Sequence, residues 1–108
     1  PDGGDNLPSQ IRRLLGRDCS NWPDLDGVAR QLNTSPQTLR RHLREAGTSF
    51  QELKDQLRRD LAIYHLGRHE LALQDIAEQL GFSEPSAFHR AFKKWTGLTP
   101  GAYRAQEN

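Results

Sequence analysis

The sequence predicts an all-α fold of seven helices, which form two helix-turn-helix subdomains joined by a long linker helix. Apolar residues recur at spacings of three and four along almost the whole chain, and no segment shows the alternation typical of a strand. Residues that favour helix ends separate these apolar segments. One eight-residue pattern also occurs twice, which indicates a duplicated pair of helices.

The first subdomain is expected over residues 8–48 and contains three helices. Each helix begins at a residue suited to an N-cap or a first turn. The first predicted helix runs from Pro8 to Leu15 and ends near Gly16. The second runs from Leu25 to Leu32 and is capped by Asp24. The third is capped by Ser35, has Pro36 at its first position and stops near Gly47. Residues 1–7 are polar and Gly-rich, and we expect a disordered linker or an expression remnant there.

The linker helix is expected over residues 49–67. Ser49 and Glu52 have the spacing of a capping box, in which each side chain binds the other residue's backbone N–H. Gly67 is expected to end the helix. The apolar stripe predicted for this helix consists of Phe50, Leu53, Leu57, Leu61 and Tyr64.

The second subdomain is expected over residues 68–108 and again contains three helices. A short helix holds Leu73 to Leu80 and ends at Gly81. Ser83 or Glu84 is expected to cap the next helix, which has Pro85 in its first turn and closes at Gly97. Thr99 and Pro100 begin the last helix, and residues 106–108 are expected to fray.

The two subdomains share an internal repeat. The pattern Leu-x-x-Val-Ala-x-Gln-Leu at 25–32 matches Leu-x-x-Ile-Ala-x-Gln-Leu at 73–80, and each copy is followed by a short turn and a helix starting near a proline. A shift of 49 residues then aligns Leu39 with Phe88, Arg41 with Arg90, Leu43 with Phe92, and Arg44 with Lys93. The repeat therefore predicts the same arrangement in both subdomains.

Helical phase gives each repeated helix an apolar back and a polar, cationic front, at 100° per residue. The predicted apolar backs are Leu39, Leu43 and Ala46 in the third helix, and Phe88, Phe92 and Trp95 in the sixth. The predicted fronts are Gln37, Arg40, Arg41 and Arg44 in the third helix, and Ser86, His89, Arg90 and Lys93 in the sixth.

These fronts suggest a DNA-binding surface. The formal net charge is only +1, but residues 37–44 and 85–95 each contain three Lys or Arg and no acid. The major groove admits an α-helix, and Arg or Gln can form paired hydrogen bonds to guanine or adenine. Base reading is therefore predicted for Gln37, Arg40, Arg41, Ser86, His89 and Arg90. Phosphate contact is predicted for Ser35, Arg44, Lys93 and Lys94.

The same residues resemble the signature of the AraC/XylS family of bacterial transcription regulators. Residues 75–82 read DIAEQLGF, residues 87–100 read AFHRAFKKWTGLTP, and residues 103–104 read YR. A looser match covers Val28-Ala29, Ser35, Leu39, Arg41, Gly47 and Ser49-Phe50. The resemblance extends over residues 8–105.

The resemblance implies one protomer that places two recognition helices in adjacent major grooves of double-stranded DNA. A linker helix of about 18 residues spans roughly 27 Å, near the scale of the 34 Å duplex turn. It also implies a regulator of transcription initiation, often an activator that contacts RNA polymerase, with an effector or dimerisation domain N-terminal to this segment.

Two departures from the family pattern stand out. Pro85 and Ser86 replace longer polar side chains, so the second subdomain is expected to read fewer bases. Asn33 replaces a glycine in the first turn, and asparagine tolerates the left-handed conformation needed there.

The sequence fits an enzyme or another kind of binding protein less well than a DNA-binding domain. His65 and His69 have a spacing that can place two metal ligands on one helical face, but no third ligand is evident and Gly67 lies between them. A helical protein-interaction module would use Trp95 and the phenylalanines, which fall on the predicted core face. RNA binding is disfavoured because deep A-form grooves do not admit a reading helix.

The composition agrees with a small intracellular domain. No apolar run is long enough to cross a membrane, and the single cysteine, Cys19, cannot form an internal disulfide and is expected to serve in packing. We therefore expect a bacterial cytoplasmic protein associated with the nucleoid, with no cofactor, no metal and no enzymatic activity.

Overall fold

The computed structural model describes residues 6–106, and every regular element in that range is helical. The predicted number of seven α-helices is confirmed for this range. A single 3-10 turn, Cys19–Asn21, lies between the first two. The α-helices are α1 (Leu7–Leu15), α2 (Leu25–Gln31), α3 (Pro36–Glu45), α4 (Phe50–Leu66), α5 (Leu73–Gln79), α6 (Pro85–Thr96) and α7 (Pro100–Gln106).

Helix α1 begins earlier than the sequence predicted. Asn6 is its N-cap, because the Asn6 Oδ1 atom accepts a hydrogen bond of 2.9 Å from the Ser9 N–H. Leu7 is half-buried against the core, which fixes the first turn. Both residues had been assigned to the disordered segment 1–7, and that assignment is wrong for them. Residues 1–5 and 107–108 lie outside the described residues; Gln106 is the last residue of α7.

Three predicted N-caps are formed by side-chain oxygens. Asp24 Oδ1 accepts from the Gly27 N–H at 2.8 Å, Ser35 Oγ from the Thr38 N–H at 3.1 Å, and Ser49 Oγ from the Glu52 N–H at 3.1 Å. A cap of this kind contributes about 1 kcal/mol. The other bond of the predicted capping box runs from the Ser49 backbone N–H to the Glu52 carboxylate. In the structure, Glu52 Oε1 instead accepts from the Ser49 hydroxyl at 3.4 Å.

The turn between α2 and α3 depends on Asn33. Its φ of 58° makes it the one non-glycine residue with positive φ in the described range, and Gly81 takes the corresponding conformation with φ 88° between α5 and α6. The prediction that asparagine could replace glycine in this turn is confirmed. The two turns therefore keep the same geometry with different residues.

The chain divides into two compact units, and the division falls inside α4, between Leu57 and Arg58. In unit 1, α1, α2, α3 and the first half of α4 share one apolar core. The side chains of Ile11, Leu15, Val28, Ala29, Leu39, Leu43 and Leu53 are each at most 5% exposed there. Cys19 is buried as predicted.

Unit 2 has a core of its own, formed by the second half of α4 with α5, α6 and α7. Phe88 and Phe92 are fully buried. They belong to a cluster of rings with centroid distances of 5.5 to 6.4 Å, which also includes Phe82, Trp95 and Tyr103. The Arg58 guanidinium lies 5.2 Å from the Phe82 ring centroid.

The apolar stripe predicted along α4 does not run its whole length. Tyr64, its predicted last member, is 54% exposed, whereas Ala62 and Leu66 are fully buried. At 100° per residue, these two residues do not lie on the face of α4 that carries Leu53 and Leu57. The prediction was wrong because the two halves of α4 pack into different cores, so one continuous stripe is not required.

Arg104 joins α7 to the end of α4 and to the loop that follows it. Its Nε donates to the Leu66 carbonyl at 3.1 Å and its Nη1 to the Leu71 carbonyl at 2.7 Å. Its Nη2 lies 3.3 Å from the Arg68 carbonyl and 3.5 Å from the His65 carbonyl. The last carbonyls of a helix have no partner within the helix, so this guanidinium satisfies the Leu66 carbonyl, which α4 cannot.

We therefore expect Arg104→Ala to lower the free energy of unfolding by about 2 to 3 kcal/mol, because half-buried carbonyls lose a charged donor. Arg104→Lys should recover only a minor part, because an ammonium cannot form the same planar set of hydrogen bonds. Urea denaturation measures both values. Arg59→Ala is the matched control, since Arg59 is exposed and makes only a 3.8 Å contact with Asp60; equal losses in all three variants would contradict the role given to Arg104.

Candidate nucleic-acid interface

Helix α3 turns a polar, cationic face to solvent because its other face is held in the core of unit 1. Leu39 and Leu43 are each 1% exposed. The cap at Ser35 and the proline at position 36 fix where the helix starts and thus its rotation. All four residues of the predicted front are exposed, as the helical phase required: Gln37, Arg40, Arg41 and Arg44.

One residue of the predicted apolar back of α3 is misplaced. Ala46 is exposed and is the C-cap residue, at the point where the helix ends. Its backbone N–H still bonds to the His42 carbonyl at 3.0 Å. The buried face of α3 is therefore shorter than predicted and consists of Leu39 and Leu43.

Helix α6 repeats this arrangement in unit 2. Phe88 and Phe92 are fully buried, and Trp95 is half-buried in the same ring cluster. The predicted front and phosphate-contact residues Ser86, Arg90, Lys93 and Lys94 are all exposed.

His89 is the exception on the front of α6. It is half-buried, and its ring meets the Phe88 ring edge-on at a centroid distance of 6.1 Å. Part of the imidazole is therefore used in packing at the border of the apolar core. Its base-reading role stays a prediction.

The cations on the two fronts have no ion-pair partner among the residues that the structure describes. Across residues 6–106, no ion pair or side-chain hydrogen bond involves the charged groups of Arg40, Arg41, Arg44, Arg90 or the two lysines at 93 and 94. Surface cations without internal partners attract external anions, and the attraction falls as salt increases. Each front is therefore suited to a polyanion.

Ser35, for which a phosphate contact is predicted, also has a structural role. Its hydroxyl accepts from the Thr38 N–H and donates to Thr38 Oγ1 at 2.9 Å. The hydroxyl is therefore engaged in the first turn of α3. Its phosphate contact stays a prediction.

An apolar recess lies beside α3, which the sequence did not reveal. It has a volume of about 420 Å³, and the apolar side chains of Leu25, Leu43 and Phe50 line it together with Arg40 and Arg44. Residues 48–51 at the start of α4 complete the wall. No sequence pattern could have indicated it, because it arises where three helices of unit 1 meet.

Glu84 is a polar residue at the interface that the sequence analysis treated only as a possible cap. It is the N-cap residue of α6, yet its side chain bonds to no backbone N–H of the helix. Instead, Glu84 Oε1 accepts from the Ser86 hydroxyl at 2.5 Å. A carboxylate thus lies next to the cationic front of α6.

The residues weighed for a metal site are not arranged for one. Helix α4 ends at Leu66, so His65 lies at the end of that helix and His69 in the loop beyond it. The His65 ring packs against Tyr64, with centroids 5.3 Å apart. Within the described range, no cluster of three or more His, Cys, Asp or Glu side chains could hold a metal ion.

The interaction-module alternative is also disfavoured, because the aromatics that would bind a partner are used inside unit 2. Phe88 and Phe92 have no exposed surface, and Trp95 packs on both Phe82 and Phe92. None of the described helices is both long enough and apolar enough to cross a membrane.

Comparison with known proteins agrees with this geometry. A family model described as a helix-turn-helix domain matches residues 28–106, which run from the middle of α2 through α7 and include the whole of α4. The chain belongs to the AraC-type helix-turn-helix family. Proteins of this family are bacterial DNA-binding transcription regulators and are not enzymes, so the predicted class of function is confirmed.

Individual relatives extend the match over α1. The ornithine utilization regulator of Pseudomonas aeruginosa is 45% identical over 103 residues, which are 95% of this chain and 30% of that protein. The urease operon transcriptional activator of Escherichia coli is 37% identical over 96 residues, 89% of this chain and 32% of that protein. This chain thus spans about 30% of the length of these AraC-type regulators.

A solved structure shows the same fold. The C-terminal domain of AraT, a response regulator from Geobacillus stearothermophilus, superposes with a TM-score of 0.81 at 31% identity. The alignment covers 97% of this chain and 88% of that one. The seven-helix AraC-type fold predicted from the sequence is therefore confirmed.

Proposed function

We propose that this domain binds specific sequences in double-stranded DNA by inserting α3 and α6 into adjacent major grooves, and that it thereby regulates transcription initiation. The observation that carries the proposal is the shared design of the two helices. Each has a buried apolar back and an exposed front whose cations have no partner among the described residues. An α-helix with such a front fits the major groove.

Base reading is assigned to side chains near the N-terminal half of each helix, which reach base edges in helix-turn-helix proteins. In α3 and α6 these are Gln37, Arg40, Arg41, Ser86, His89 and Arg90. Arginine can donate two hydrogen bonds to guanine O6 and N7, and glutamine can pair with adenine N6 and N7. Sequence choice therefore depends chiefly on these positions.

Phosphate contact is assigned to Ser35, Arg44, Lys93 and Lys94. The two lysines and Arg44 lie further along their helices and are exposed. Charges on the DNA backbone are the same at every base step, so these contacts supply affinity without sequence choice. Helix α4 has 17 residues and a length of about 25 Å, which is on the scale needed to separate two reading helices on one duplex.

The domain is proposed to work within a longer regulator in the bacterial cytoplasm, at the nucleoid. The relatives are about three times as long as this chain, which supports an additional effector-binding or dimerisation domain. One relative is a transcriptional activator, and contact with RNA polymerase is the activating step we propose for this family member.

The base-reading role predicts a loss of specific binding in Arg41→Ala and in Arg90→Ala. Each change should cost about 1 to 3 kcal/mol on the selected site and less on random duplex, because a bidentate contact to one base is lost. Fluorescence anisotropy on both duplexes measures the difference. Arg59→Ala removes the same charge from an exposed position of α4 and should leave the ratio of the two affinities unchanged; equal weakening on every sequence would reject base reading.

The phosphate role predicts a different result for Lys93→Ala. The slope of log affinity against log salt should decrease in magnitude by about 0.9, the value for one phosphate contact, while base preferences stay the same. Binding measured between 50 and 200 mM salt, a range in which a DNA binder of this kind loses orders of magnitude in affinity, gives the slope. Lys54→Ala is the control of equal charge, since the Lys54 ammonium lies 4.8 Å from the Phe50 ring centroid and Lys54 belongs to neither α3 nor α6. A wild-type slope in Lys93→Ala would reject the assignment.

A further inference from the structure

Glu84 stands at the start of α6 without serving as a side-chain cap. Its backbone is extended, with φ −150° and ψ 150°, and its carboxylate accepts no hydrogen bond from a backbone N–H in the first turn of the helix. Elsewhere in the chain, Asn6, Asp24, Ser35 and Ser49 all use their side-chain oxygens to cap a helix. The Glu84 carboxylate is thus exposed and caps no backbone N–H of α6.

The position of this carboxylate is fixed by Ser86. The hydroxyl of Ser86 donates to Glu84 Oε1 at 2.5 Å, and a hydroxyl bonded to an ionised oxygen at this distance forms a short, strong hydrogen bond. Ser86 lies on the exposed sector of α6 together with Arg90, opposite the buried Phe88. The contact therefore places a negative charge at the N-terminal end of the proposed DNA-reading face.

The corresponding position in unit 1 differs. The repeat aligns Glu84 with Ser35, a neutral residue whose hydroxyl caps α3. A neutral cap allows a phosphate to approach the first turn, whereas a carboxylate repels it. In both helices the N-cap residue is followed by a proline at the first helical position. The two proposed reading helices therefore differ in the side chain at the N-cap, which is a neutral serine in α3 and a glutamate in α6.

A carboxylate in the major groove selects among base edges. Guanine O6 and N7 and thymine O4 are acceptors, which a carboxylate oxygen repels. Adenine presents a donor beside its N7 acceptor, whereas cytosine presents only the N4 amino donor. Because the Ser86 hydrogen is used on Glu84, the Ser86 oxygen also offers only lone pairs to a base.

We propose that Glu84, positioned by Ser86, is a specificity-determining acceptor that reads the N4 amino group of a cytosine in the groove entered by α6. The assignment rests on the DNA-binding function proposed above. It adds a base reader to the second subdomain beside Ser86, His89 and Arg90, and it assigns Ser86 the additional task of positioning the carboxylate.

The experiment is selection of bound sites from random duplex DNA, carried out in parallel with the whole chain and with Glu84→Ala, Glu84→Gln and Ser86→Ala. The wild type is expected to prefer cytosine at one position of the α6 half-site by roughly 5- to 100-fold, the range of one good base contact. In Glu84→Ala, this preference should disappear while the other positions keep theirs. Binding to random duplex should strengthen, because a negative charge is removed.

Glu84→Gln gives the sharpest result. A glutamine amide can both accept and donate, so the preference should move from cytosine towards adenine at the same position. Ser86→Ala should weaken the cytosine preference without replacing it, because the carboxylate is then free to rotate. Glu78→Ala, which removes an exposed carboxylate from α5, is the matched control and should select the wild-type site.

Two negative results have different meanings. If Glu84→Ala and Glu84→Gln select the wild-type sequence at every position, and all affinities change by one common factor, Glu84 is only a repulsive charge and the proposal falls while DNA binding stands. If the wild type itself selects no sequence, the proposed function falls, and the role of Glu84 falls with it. Circular dichroism of each variant checks that the helices are retained.

Discussion

Burial of the apolar backs of α3 and α6 is the constraint on which the rest of this domain depends. Leu39 and Leu43 in one helix, and Phe88 and Phe92 in the other, are at most 1% exposed. Burying a side chain of this size stabilises the fold by roughly 1.5 to 3 kcal/mol. Rotation of either helix by one sector would expose two such residues and bury guanidinium groups, which are costly to remove from water. The cores therefore decide which residues face outward.

The ends of the helices add precision to this constraint. Side-chain caps at Asp24, Ser35 and Ser49 set where helices start, and the left-handed Asn33 turns the chain between α2 and α3. These local interactions contribute about 1 kcal/mol each, less than the core residues. Their effect is on register, because a helix that begins one residue early presents a face rotated by 100°.

The two units follow one plan with different chemistry. Unit 1 has three arginines and a glutamine on its exposed front, and a neutral serine as the cap of α3. Unit 2 has one arginine and two lysines on its exposed front, a half-buried histidine, and a carboxylate that accepts a hydrogen bond from Ser86. A duplicated scaffold with unequal fronts is suited to an asymmetric DNA site, because each helix can prefer its own bases. Arg104 stabilises unit 2 by donating to the Leu66 carbonyl at the end of α4 and to the Leu71 carbonyl in the loop that follows.

The amino-acid sequence alone determined the class of fold, the seven helices, the repeat, and the exposed cations of α3 and α6. These features depend on spacing along a helix and on residue types at helix ends, which are local properties. Only the tertiary structure decided that α1 begins at Leu7, that α4 contributes to two cores and leaves Tyr64 exposed, and that Ala46 lies outside the buried face. It also decided the contacts of Arg104 and the pairing of Glu84 with Ser86. Some of these outcomes depend on which side chains from different segments of the chain come into contact. Others depend on a choice between two hydrogen-bond partners of similar energy. Helical periodicity carries no information about either.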